Sequence, residues 1–151
     1  MSKSLKWNGD AITGNMRQAQ VLGVNKTMGD CVKHAKANHP WKNQSGILEG
    51  SINIVDFAAR QGNGVEGRWG SQDVRYALIH ELGGVIVPVK AVALAIPQPG
   101  GGVRFVKRVV IPKRPYLRPA ADATYPELPA NIKAAYAKLS GSSAPPEGFA
   151  P

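Results

Sequence analysis

"VIVPVKAVALAIPQPGGGVRFVKRVVIP", residues 85–112, is a pair of β-branched runs on either side of a proline- and glycine-rich centre. Val, Ile and Phe fit the pleated, half-buried surface of a strand, and "QPGGG" (98–102) is a turn. The pattern predicts a long β-hairpin arm with a flexible tip. Pro88 has no N–H to give to a ladder, which places the first strand at an edge or a bulge. Phe105 alternates with Arg104 along the returning strand, so Phe105 is expected to face the core. Lys107, Arg108 and Lys113 are then expected to guard an exposed edge against aggregation.

Upstream of the arm, "DVRYALIHELGG" (73–84) predicts a short helix with Val74, Ala77, Leu78 and Leu82 on one face, closed by Gly83-Gly84. Before it, "GILEGSINIVDFA" (46–58) has Ile52 and Ile54 in alternation and then Val55 and Phe57, a strand with a change of face or a bulge. "RQGNG" (60–64) is a hairpin turn with Asn63-Gly64 suited to positive φ, and "VEGRWG" (65–70) is the return strand. From about Ile12 to Ala37, Val21, Val24, Met28, Cys31, Val32 and Ala35 recur at steps of three and four, the stripe of an α-helix. Gly14, Gly23 and Gly29 each cost it about 1 kcal/mol relative to Ala and leave its first part open to a turn or a break. Pro40 ends it.

Downstream, "RPYLRPA" (114–120) predicts an extended segment, because each proline disfavours α geometry in the residue before it. "PELPANIKAAYAKLS" (126–140) predicts a helix with Ile132, Ala135, Tyr136 and Leu139 on one face and Asn131 as a cap. Residues 141–151, "GSSAPPEGFAP", are too poor in apolar side chains to pack by themselves and are expected to form a flexible or partner-bound tail. The fold expected is α+β: a long N-terminal helix on a mostly antiparallel sheet, with the hairpin arm at 85–112, a short middle helix and a C-terminal helix. At 151 residues, one domain over 1–140 is the economical division.

Charge is spread unevenly within the net +9. Residues 1–45 carry +5, 46–84 carry −2, 85–127 carry +5 and 128–151 carry +1. Such asymmetry suits an acidic partner surface or nucleic acid, and equally a solvated basic face that maintains solubility. No run of 18 apolar residues is present, so no membrane span is expected, and "MSKSLKWNGD" lacks the apolar stretch of a leader peptide. The lone Cys31 cannot form an internal disulfide. On an apolar helical stripe it is expected to be a buried, inert thiol in a reducing compartment.

Little in the chain suggests catalysis. His80-Glu81 is the only adjacent acid/base pair, and Gly84 stands where a zinc-hydrolase helix needs its second histidine. His34 and His39 have no cysteine at metal-ligand spacing. His34 lies one helical turn from Cys31, although the thiol's place on the stripe argues against a nucleophile. "NQSGIL" around Ser45 is no nucleophile elbow, and "QPGGGVR" lacks the Lys-Ser/Thr of a phosphate loop. No cofactor is expected. Arg104, Lys107, Arg108, Lys113, Arg114 and Arg118 interleave with Phe105 and Tyr116, a mixture that can track phosphates and stack bases, so a basic nucleic-acid-binding module is an alternative.

Four stretches taken in order resemble the tailed-bacteriophage head–tail joining and tail-completion proteins, including the group often called virion morphogenesis proteins. "HPWKNQSGILEGSI" (39–52) is similar to that family's proline, Ser/Thr-Gly, leucine and "S-I" pattern, carried here by Ser45, Gly46 and Leu48. "WGSQDVRYALIHELGG" (69–84) is similar to its "Y-A-x-x-x-E-x-G" segment, with Tyr76, Ala77, Glu81 and Gly83 in those places. "IPKRPYLRPAAD" (111–122) is similar to its closing "P-x-R-P-F/Y-L-x-P-A", and the helical segment after it is the fourth. Together they span roughly residues 15 to 140. The long arm and the Ala/Pro/Gly tail depart from the pattern.

The resemblance implies a non-catalytic virion protein assembled in the host cytoplasm. Copies would form a homo-oligomeric ring, a hexamer in this reading, at the neck or tail top. The ring would join the head connector or neck proteins to the tail tube or tail terminator, with genome DNA passing through it. In "RPYLRP", Pro115 and Pro119 would pre-extend the chain, first to close the fold and second to contact a neighbour. Tyr116 and Leu117 would be the apolar anchors, and Arg114 and Arg118 the bonds to acidic groups. Pairing the basic arm of one copy with the acidic section 46–84 of the next is the expected intersubunit contact.

Overall fold

Small residues set the first packing layer. Ala19, Gly23, Thr27, Cys31 and Ala35, spaced by four, are buried along helix α1 (Gly9–Ala37), which runs unbroken for 29 residues. The expected break is absent, and Gly23 shows why a costly glycine is present. A Cβ built there would lie 2.9 Å from the backbone of Ile132, so the bare backbone lets a second helix approach closely. That helix is α5 (Leu128–Gly141), which packs along α1. Asn131 does not cap it; its Nδ2 donates instead to Thr27 Oγ1 at 2.9 Å, and Thr27 Oγ1 in turn donates to the Gly23 carbonyl at 2.8 Å.

The computed structural model describes residues 2–42 and 45–141, so the tail beyond Gly141 lies outside the described residues. After α1, Gly46 at φ 70 leads into a single turn of helix, α2 (Ile47–Ser51), rather than directly into a strand. Leu48 enters the core from it. Strand β1 (Ile52–Gln61) pairs antiparallel with β2 (Gly64–Ser71), with register shifts between Ile54 and Asp56 and between Asp56 and Ala59. Those irregularities are the bulge expected after Ile54. The turn is Gly62-Asn63, one residue earlier than the sequence predicts, with the positive φ on Gly62. One face of this ladder lies on α1.

Helix α3 (Ala77–Leu82) ends at Gly83, whose φ of 71 favours glycine; a Cβ there would also press to 2.9 Å from the Lys113 nitrogen. The face of α3 differs from the expected one. Ala77 is buried, while Tyr76, Leu78 and Leu82 are exposed and do not pack the helix over the sheet. The arm follows as two short antiparallel ladders in place of one long one. β3 (Gly84–Ile86) pairs with β6 (Val109–Ile111), and β4 (Leu94–Pro97) pairs with β5 (Val103–Val106). Pro88 falls in the gap between them. At the tip, Gly101 and Gly102 take positive φ, and the Gln98 amide donates to the Gly102 carbonyl at 3.1 Å.

"RPYLRPA" is not extended beyond Tyr116. Leu117–Thr124 form helix α4, and Tyr125–Glu127 make a 3₁₀ turn into α5. Pro119 is third in α4, a position whose N–H no helical carbonyl would have accepted, so the ring costs the helix nothing. The architecture is α+β, with all three ladders antiparallel and separate. The core of the body gathers Ala35, Leu48, Ile52, Ala77, Tyr116 and Ala120, edged by Val32, Trp41, Trp69, Val74 and Leu117. No described helix is long and apolar enough to cross a membrane.

Candidate functional site

Two regions gather the residues that the sequence singles out, and they differ in kind. The first is the junction of α3 with α4. The Glu81 side chain accepts three backbone hydrogen bonds from the start of α4: Tyr116 N and Leu117 N on Oε2 at 2.7 and 3.0 Å, and Arg118 N on Oε1 at 2.9 Å. A carboxylate here satisfies orphan donors of the helix and sits at the positive end of its dipole. Tyr116 N–H is 35 residues away in sequence, so no local capping pattern signals the contact. Both carboxylate oxygens are thereby committed to structure. The Arg114 amide adds a 2.8 Å bond to the His80 carbonyl.

Tyr116, only 1% exposed, is the largest fully buried side chain among the described residues. Its hydroxyl shares a 2.7 Å hydrogen bond with Ser71 Oγ, and its ring meets Trp41 edge-on at 4.8 Å. Burial pushes the phenol above its ordinary pKa; the Ser71 bond opposes the rise and the Glu81 charge adds to it. Tyr116 is therefore spent inside its own chain and is not an anchor for a neighbour. Leu117 is half-buried against the core, which leaves Arg114 and Arg118 as the exposed members of the motif. Fold closure comes first, as the sequence suggests, and it is achieved by capping a helix rather than by a strap.

Beside this junction lies a cleft of about 590 Å³, lined by Trp41, Tyr76, His80 and Arg114 among others. His39 stacks on Trp41 at 4.2 Å, and Tyr76 meets His80 edge-on at 5.8 Å. Ser45 and Leu48 also line it, so residues of the 39–52, 69–84 and 111–122 stretches meet here. Among the described residues no group of three or more His, Cys, Asp or Glu side chains is gathered as metal ligands. Cys31 is fully buried; burial pushes its thiol up, a hydrogen bond with Thr124 opposes this, and the Asp30 charge reinforces it. A thiol buried in this way is a poor nucleophile.

The second region is the arm. Arg104, Lys107, Arg108 and Lys113 are exposed, and among the described residues none has an ion-pair partner. Phe105 is 71% exposed, contrary to its expected place in the core. The register puts Phe105, Val103 and Ala95 on one face of the tip ladder and Arg104 with Leu94, Ile96 and Val106 on the other. Alternation separates the two faces correctly, but the more covered one is not that of Phe105: Leu94, Ile96 and Val106 are half-buried, while Val103 and Phe105 are exposed. Val89 and Val92 are 92% and 90% exposed, and Val85, Val87 and Val110 are more than half exposed. Comparison with protein-family models, with curated proteins and with solved structures finds no match for this chain.

Proposed function

We propose that this chain is a non-catalytic assembly subunit. In this reading its copies close into a ring at the neck or tail top of a tailed bacteriophage, joining the head connector to the tail tube. The observation that carries it is the arm: an apolar and basic projection standing off a body whose own core is already closed. Isolated two-stranded hairpins are marginal in water, and large apolar side chains left exposed together on one element mark an interaction surface. A chain invested in such an element is built to place it against something else. The resemblance of the 39–52, 69–84 and 111–122 stretches supplies the virion setting. The commitment of Glu81 to α4 and the full burial of Cys31 agree with a role without catalysis.

Electron microscopy of the purified protein at high concentration tests this. Closed rings with a hole wide enough for duplex DNA are expected, and a particle that stays monomeric with the connector proteins also present contradicts it.

A second reading is favoured by one observation. An exposed Phe105 beside Arg104 and Lys107 is the arrangement that stacks bases while tracking phosphates, so direct nucleic-acid binding by the arm is the competing function. Binding to DNA with an affinity that falls steeply with salt would support it, since each neutralised phosphate releases counterions. Weak binding with little salt dependence would remove it.

A further inference from the structure

The body carries an unpartnered apolar surface of its own. Two hollows, of about 280 and 520 Å³, adjoin where Trp69 and Tyr125 line both. Trp69 Nε1 donates to Tyr125 Oη at 3.1 Å and fixes that shared wall. Val24, Val65 and Leu128 line the first hollow, and Leu82, Leu117 and Ala121 the second. Glu66 lines one hollow and Asp122 the other, while Glu127 shares the turn of Tyr125. Among the described residues these three carboxylates have no ion-pair partner, and Arg118 is the only cation among the residues lining the two hollows. The groove is thus largely apolar, with Glu66 and Asp122 in its lining and Glu127 two residues on from Tyr125. The arm is apolar with Lys90, Arg104, Lys107 and Arg108 exposed along it.

We infer that this groove receives the hairpin arm of a second copy of the chain. The inference rests on the ring-forming reading above and names the surface that reading leaves open. Charge decides between the possible pairings. Arm against arm would bring Arg104, Lys107 and Arg108 of two copies together, and groove against groove would juxtapose Glu66, Asp122 and Glu127; both are repulsive. Arm into groove satisfies both, and being a contact between two different patches it can close a ring. The acidic section 46–84 as a whole is a poorer receiver than its charge suggests. Asp56 is bridged to Arg68, Glu49 lies 3.6 Å from His39, and Glu81 caps α4. Those carboxylates already serve their own chain.

Charge reversal and mixing test the inference on the full chain. One variant carries Arg104→Glu, Lys107→Glu and Arg108→Glu, and the other Glu66→Lys, Asp122→Lys and Glu127→Lys. Circular dichroism checks that each folds, and analytical ultracentrifugation over a concentration series reads assembly. Each variant alone is expected to need about 100-fold more protein to assemble than the parent, because like charges then face each other. An equimolar mixture is expected to regain assembly, since each reversed surface finds its complement on the other chain.

Folded variants that assemble like the parent, or a mixture that fails to recover, would overturn the inference while leaving ring formation standing. A reversed arm that keeps assembly but loses duplex-DNA binding would give the arm to nucleic acid and overturn it as well. A parent chain that remains monomeric throughout would remove the ring reading and this inference together.

Discussion

The body and the arm are made from similar residues but solve opposite problems. In the body, apolar side chains from distant segments converge on one another: Ala35, Leu48, Ile52, Ala77, Tyr116 and Ala120 come from α1, α2, β1, α3 and the start of α4. Several polar neighbours are paired, as with Glu81 on three amides and Asn131 on Thr27, while among the described residues the buried Nδ1 atoms of His34 and His80 have no hydrogen-bond partner. In the arm, Val103 and Phe105 pair across a ladder, Val87, Val89 and Val92 lie outside both ladders, and the basic side chains around them reach solvent. Low hydrophobicity is not what distinguishes the arm, for it is the most β-branched part of the sequence. It lacks a facing layer, and two packed layers are what a domain core requires. The same chemistry therefore yields a scaffold in one place and an unsatisfied surface in the other.

The sharpest way to break this contrast is to cut equally large aromatics from each region. Tyr116→Ala is expected to destabilise the fold by about 3–5 kcal/mol, the cost of emptying a buried aromatic site, in a urea titration of the monomer. Phe105→Ala is expected to change it by less than about 0.5 kcal/mol, as surface changes do. Comparable losses at both positions would mean that the arm is packed after all.

Glu81→Ala comes next. Three amides at the start of α4 would lose a charged acceptor, with an expected loss of about 2 kcal/mol by the same titration. Glu81→Gln, which keeps an acceptor oxygen, should recover part of that.

A comparison among glycines sharpens the picture of α1. Gly23→Ala must push against the backbone of Ile132 and is expected to cost about 1–3 kcal/mol despite the better helix propensity. Gly29→Ala, with nothing within 4 Å of the added carbon, is expected to stabilise by up to about 1 kcal/mol.

The smallest effect is alkaline. The Tyr116 phenol is raised in the folded state, so folding favours its protonated form. Its contribution is fully present below the unfolded value near 10 and is lost as pH rises through the folded value. Stability is expected to fall above about pH 10 in the parent and to fall less in Tyr116→Phe, which has no proton there to lose.

Much of the body is legible in the sequence because its signals are local. Pro40 stops α1, the irregular alternation after Ile54 marks the bulge, and Gly83 closes α3. The helix at Leu117–Thr124 is hidden because proline rules act on average against α geometry, whereas Pro119 stands in the first turn, where no helical N–H is needed, and the carboxylate that caps that turn is 37 residues from Arg118 in sequence. Phe105 is misplaced by alternation for a different reason. Period two separates the faces of a strand, but only a facing layer makes one of them a core. The same limit hides which face of α3 is buried, since Leu78 and Leu82 look as apolar as Ala77 until the helix is docked. The groove around Trp69 and Tyr125 joins residues 56 apart and has no sequence signature at all.

Hydrogen exchange on the parent chain at two protein concentrations tests the contrast most directly. At a dilution below assembly, amides of α1 and α5 are expected to be strongly protected and those of Gly84–Ile111 to exchange orders of magnitude faster, because local opening costs little where few apolar contacts are made. At an assembling concentration the arm amides are expected to slow towards the body's. An arm as protected as α1 in the dilute monomer, or one that stays unprotected once copies associate, would contradict the account.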